Sequence, residues 1–134
     1  MENILFLDVY LSSMISKSTD AYNLYFYEDF VIAEAKEDAV VNSSVTEEAL
    51  KIMWQHFSGN PFTIISRRTN KYTISESAYS PRLFKKVTAM AIVSKDPEVK
   101  ERAYKEQLLF NNSFAFFEEI EEAVEWARNF KLVK

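Results

Sequence analysis

The chain has no cysteine, one glycine, one histidine and three prolines among its 134 residues. Each scarcity removes a chemistry. Without cysteine there is no disulfide, no thiolate nucleophile and no cysteine-ligated zinc. One glycine excludes the glycine-rich loops that cradle phosphates, because such loops need several. His56 could join a zinc site only with several carboxylates around it. It is also the one base of its kind for a serine hydrolase, and no Gly-x-Ser-x-Gly turn exists to present the serine. We read His56 as a partly exposed residue at the end of a helix. Basic charge is short too. Sixteen Lys and Arg face twenty Asp and Glu, a net charge of −4. Duplex binding asks for a cationic excess, so nucleic acid is not an expected partner. Long hydrophobic runs are missing. Ile4–Leu7 is interrupted by Asp8, is too short to span a membrane and lacks the basic region and cleavage site of a signal peptide. The expectations are no membrane span, no metal, no cofactor and a cytoplasmic location.

What is present suits one α/β domain. Hydrophobic residues make up 48% of the chain and aromatics 15%, enough for a substantial core. Residues 1–19 read as an N-terminal extension: an apolar stretch at Ile4–Leu11, then a polar linker at residues 12–20. Residues 20–134 read as the domain. Aromatic-rich Tyr22–Tyr27 and apolar Phe30–Lys36 suit two strands of a hairpin. With Glu28 and Asp29 between them, a loop longer than a tight primed turn is expected. Val45–Ser58 is the clearest helix, with Val45, Ala49, Ile52, Met53 and Phe57 on one face. Ser44 and Glu47 form a capping-box pattern at its start, and Gly59 with Pro61 stops it. The continuous apolar runs Phe62–Ser66 and Val87–Ser94 suit buried parallel strands. Between them we expect a loop and a short helix near Ser75–Phe84. Asp96-Pro97-Glu98 opens a helix running to about Phe110, Ser113–Phe117 is a strand, and Ile120, Ala123, Val124, Ala127 and Phe130 mark a last helix. The order is β-β-α-β-(α)-β-α-β-α, a helix-flanked sheet.

The candidate site lies after the central strand. Arg67 and Arg68, followed by Lys71, stand where ligands gather in open α/β sheets. Two guanidiniums there would hold a phosphate or carboxylate; alternatively one pairs with a surface acid and the other is solvated. Thr73, Ser75 and Ser77 follow. Capping is the stronger reading for a hydroxyl at a helix start, and the same place would also suit phosphorylation. Glu118, Glu119, Glu121, Glu122 and Glu125 read as a solvated helix face or an acidic docking face. Tyr22, Tyr25, Phe26, Tyr27 and Phe30 read as core or interface rather than a ligand pocket. Aromatic-rich edge strands are pairing surfaces unless covered, so a homodimer is one expectation, and the segment before Asp20 would either cover those strands or reach a neighbouring subunit.

Three stretches carry a family resemblance. They are Ile65-Ser66-Arg67-Arg68-Thr69-Asn70-Lys71-Tyr72-Thr73, then Thr88-Ala89-Met90-Ala91-Ile92-Val93-Ser94, and finally Phe116 with Glu121-Glu122-Ala123-Val124-Glu125-Trp126. From about Asp20 onward the chain resembles the STAS-like families, SpoIIAA-like and STAS/SEC14 members, and particularly small bacterial ones of Bacteroidetes type. The resemblance implies a compact α/β domain with a mostly parallel sheet of four to five strands. It implies a non-enzymatic module that binds protein partners, in some relatives switched by phosphorylation of a serine at a helix start. The switch motif, Asp-Ser-Ser-Gly or similar, is absent; Ser75-Glu76-Ser77-Ala78 is its nearest counterpart. The SEC14 side of the resemblance implies lipid carriage, for which this chain is short. Two functions are therefore carried forward. In the first, a protein-interaction or regulatory module uses Arg67, Arg68, Asn70, Tyr72 and Thr73. In the second, an anionic or amphiphilic small molecule sits between Arg67 or Arg68 and the aromatic strands. An enzyme is not expected, since groups for nucleophilic or metal chemistry are missing.

Overall fold

The computed structural model describes residues 15–133. The sheet contains six strands: β1 (Ile15–Ser18), β2 (Tyr22–Phe26), β3 (Phe30–Ala35), β5 (Phe62–Arg67), β7 (Val87–Val93) and β8 (Ser113–Phe117). They lie in that spatial order. β3, β5, β7 and β8 pair in parallel; β1 and β2 add antiparallel pairs. A separate ribbon pairs β4 (Val40–Val41) with β6 (Thr73–Ile74) in parallel. The helices are α1 (Ser43–His56), α2 (Pro97–Gln107) and α3 (Ile120–Val133), with two 3-10 turns at Glu76–Tyr79 and Pro81–Phe84. The sheet is thus wider than the expected four to five strands.

The extra width comes from β1. Ile15–Ser18 was expected within a polar linker, yet it pairs with β2 from Ile15↔Phe26 to Ser18↔Asn23. All four residues are exposed, so an edge position is what their polarity permits. The boundary drawn at residue 19 falls between two paired strands, and the aromatic strand β2 is covered rather than an edge. The apolar stretch Ile4–Leu11 lies outside the described residues.

Alternation along the strands builds two cores. Leu24, Phe26, Val31, Phe62, Ile64 and Ile92 face Leu50 and Met53 of α1, Leu83 of the second 3-10 turn and Ala103 of α2. Ile32, Ile65, Ala91 and Val93 face Ile120, Ala123, Val124 and Ala127 of α3. Four residues of the predicted last stripe are therefore core; the Phe130 side chain lies outside those described. β5 and β7 are central and covered on both faces, which is why they read as unbroken apolar runs. His56 stacks on Phe26 with ring centroids 4.3 Å apart, a half-buried residue closing α1.

The start of α1 differs from the expected capping box. Asn42, extended at φ −121°, caps the helix, its side chain accepting from the Val45 N–H at 3.1 Å. Ser44 is already inside the first turn. The stop is closer to expectation. Ser58 (φ 53°) and Gly59 (φ 81°) are both left-handed. The Ser58 N–H donates to Gln55 and the Gly59 N–H to Trp54, the paired closure that satisfies orphan carbonyls at a helix end. Asp96 caps α2 as expected, accepting from Glu98 at 2.9 Å. Because Asn42 and not Ser44 fills the cap, Asn42→Ala should cost about 1 kcal/mol. Ser44→Ala should stay within about 0.5 kcal/mol. Urea melts of the two variants check this; equal losses would reinstate Ser44.

Candidate functional site

β5 ends at Arg67, and the chain continues extended toward β6. Side chains there alternate. Arg68 and Tyr72 are buried, and Asn70 and Ile74 are half-buried. Thr69, Lys71, Thr73 and Ser75 are exposed, with Arg67 half-buried before them. Parity along β5 explains Arg68: it continues the row Phe62, Ile64 and Ser66, on the face covered by α1 and α2.

Arg68 is 6% exposed and meets Glu106 of α2, itself 4% exposed. The contact is bidentate, with Nη1 donating to Oε2 and Nη2 to Oε1, both at 2.6 Å. Arg68 Nε donates to Ser66 Oγ at 3.1 Å. The Tyr79 hydroxyl, from the first 3-10 turn, donates to Glu106 Oε1. Tyr72 lies beneath two guanidiniums, with Arg68 Cζ 5.6 Å and Arg102 Cζ 5.5 Å from its ring centroid. One ionic cluster thus ties the end of β5, the 3-10 turn and α2 together.

The cluster settles its own charge state. Burial alone would raise the Glu106 carboxyl; hydrogen bonds and charge from Arg68, with the Tyr79 bond, hold it below the usual carboxylate value. Burial alone would lower the Arg68 guanidinium; Glu106 raises it. Burial pushes the Tyr79, Tyr72 and Tyr22 hydroxyls up. The arrangement is a saturated ion pair, and acid–base catalysis instead wants a group poised near the working pH.

The structure therefore divides the predicted site residues. Arg68 cannot share an anion with Arg67, since Glu106 occupies its fork from the interior. Asn70 donates to the Ala35 carbonyl at 3.0 Å, and Tyr72 packs inward; both order the loop. Thr73 joins β6, its N–H donating to Ala39. Ser75 stands at the start of the 3-10 turn without a side-chain capping bond. Its hydroxyl instead pairs with Ser77 at 2.8 Å, so the capping expectation fails there. Outside, Thr69 donates to Glu34 at 2.7 Å. Arg67 lines a cleft of about 320 Å³ with Lys95, Asp96, Glu118 and Glu119. Lys95 pairs with Glu119 at 3.3 Å, so the cleft carries mixed charge. Strand order never reverses in the sheet, and no switch-point crevice forms of the kind that holds ligands in doubly wound folds. Beside Arg68, a cavity lined by Tyr22, Leu50, Met53 and Tyr79 holds about 50 Å³. Small-molecule sites usually offer several hundred.

Glu106, Tyr79 and Ser66 were not anticipated. One signal pointed to Glu106: Val99, Ala103, Glu106 and Phe110 share helical spacing, so a carboxylate interrupts an apolar stripe. Among the described residues, no cluster of three potential metal ligands occurs, and no helix is long and apolar enough to cross a membrane.

No family model matches the chain, and no curated protein matches it. Among solved structures, it is similar to a protein of the DUF3478 family from Shewanella loihica PV-4, described as having a SpoIIAA-like fold. The TM-score is 0.52 at 12% identity, covering 86% of this chain and 92% of that one. At that identity the likeness is one of fold, and it supports the STAS-like architecture: a mixed α/β domain with a helix-flanked central sheet.

Removing one partner of the buried pair strands the other charge, so Arg68→Ala or Glu106→Gln should each cost about 3–5 kcal/mol. The combined Arg68→Met, Glu106→Leu, Tyr79→Phe variant should recover most of that loss. The lowered Glu106 carboxyl binds its proton more weakly in the folded chain. Its contribution is therefore complete above its unfolded value near 4.5 and fades as pH falls through the folded one. Denaturant melts between pH 3 and 7 should show this loss in the parent and a flatter acid limb in the triple variant. An equal acid limb in both would assign the dependence elsewhere.

Proposed function

We propose that this chain is a non-enzymatic protein-interaction module, presenting residues 67–75 as a rigid binding strip. One observation carries the reading: alternate residues of the loop are pinned inward. Arg68 is held by Glu106, Asn70 by the Ala35 carbonyl and Tyr72 by packing beneath two guanidiniums. Arg67, Thr69, Lys71, Thr73 and Ser75 are turned toward the partner side. A pre-ordered surface gives up little conformational entropy on binding. The saturated charges of the cluster favour a structural role for it over catalysis. Ser75, at the end of this strip, and Ser77, just beyond it, are exposed and are the residues at which phosphorylation would alter its charge.

The small-ligand alternative is less well supported. Its best cation, Arg68, is neutralised from within, and the adjoining cavity is far below the size of an amphiphile.

Affinity capture from the native cell tests the module. Lys71→Glu should remove the partner that the parent retains, while leaving stability within about 0.5 kcal/mol. Identical partner sets for the parent and the stable variant would defeat the proposal.

A further inference from the structure

A second surface lies beside the strip. A groove of about 370 Å³ runs between β6 and α2, lined by Ile74, Ser75, Arg102, Lys105, Leu108 and Leu109 among others. Three features of it converge.

The first is an open strand edge. In a parallel ribbon, one residue sends both its N–H and its C=O to the same side. The Thr73 and Ser75 N–H groups donate to Ala39 and Val41 of the β4 side. Ile74, between them, therefore turns its own N–H and C=O away from β4, and among the described residues β6 pairs with no other strand. The second is exposed apolar surface: Leu108 is 84% exposed, at the end of the helix that forms the opposite wall. The third is charge. Arg102 and Lys105 stand on that wall. Glu106 at the floor is held first by Arg68 and also pairs with Arg102, and Glu76 is the other acid among the lining residues. Arg102 lies 3.5 Å from Glu106 but its Nε makes no hydrogen bond.

We propose that this groove takes an extended, acidic segment of a partner protein. The segment would add to β6 by main-chain pairing at Ile74, as peptides join exposed strand edges. It would rest an apolar side chain on Leu108 and Leu109 and set a carboxylate against Lys105 and Arg102. The inference rests on the reading of the chain as an interaction module, and it adds an adjoining face, which meets the strip at Ile74 and Ser75, and the chemistry of the occupant.

The test is an amide NMR titration of the full chain with a blocked heptapeptide, acetyl-TVTEVTS-amide, and its counterparts carrying Gln or Lys at the acidic position. The acidic peptide should shift the Ile74 and Leu108 amides. It should bind up to about fivefold more tightly than the Gln peptide, the range of a partly solvated charge pair. The Lys peptide should be weakest, and Lys105→Glu should reverse the order. No shift at Ile74 with any peptide at millimolar concentration would overturn the proposal. So would an order indifferent to Lys105→Glu, or a dimer abolished by Leu108→Asp, which would make a second copy the occupant. Lys71→Glu should leave the titration unchanged. Losing the cellular partner without losing the peptide, or the reverse, therefore tells the two surfaces apart.

Discussion

A guanidinium and a carboxylate share the interior of this protein, and neither could be there alone. Taking a single ion out of water costs several kcal/mol even after relaxation. Arg68 is buried because Glu106 meets its fork with two short bonds. Glu106 is buried because Arg68 and Tyr79 use its oxygens. The consequence is geometric more than energetic. A bidentate pair fixes angle as well as distance, so α2 and the chain leaving β5 hold one relation to each other. Once Arg68 points inward, an extended backbone sends its neighbours outward. The presented strip at residues 67–75 and the groove beside α2 both follow from this one contact.

The order of the strands bears on where a surface can open. β3, β5, β7 and β8 succeed one another without reversal, so adjacent loops do not diverge to open a crevice above the strands. The cleft at their ends carries cations and acids that partly satisfy each other, as Lys95 does with Glu119. The flank is different. There the β4–β6 ribbon stands apart from the main sheet, and among the described residues its outer edge borders a groove against α2 rather than another strand.

Much of the fold was legible from local pattern. β8 and the start of α2 fall where their residues predicted, since a five-residue apolar run and an Asp-Pro-Glu opening carry their own signals. β1 was hidden because Ile15-Ser16-Lys17-Ser18 has no buried face to impose alternation. Its identity comes from pairing with β2. The cap of α1 was misplaced by two residues because Ser44 and Glu47 reproduce the spacing of a capping box one step inside the helix. Arg68 was recognised as important, either holding an anion with Arg67 or, for one of the two arginines, pairing with a surface acid, and neither reading buried it. The strand's period of two would have turned it inward; the residue type argued otherwise.

The sequence by itself determined the three helices, the strands β2, β3, β5, β7 and β8, the two apolar faces of the sheet and the absence of thiol and glycine-loop chemistry. These depend on residue type and on spacing within one segment. Tertiary structure alone decided that Arg68 meets Glu106, thirty-eight residues away, and that Tyr79 completes the pair. It also decided that β6, among the described residues, pairs with β4 alone. Complementary charges carry no record in the chain of which partner they will find. Only packing brings them within reach, and the cost of burying either one alone selects the match.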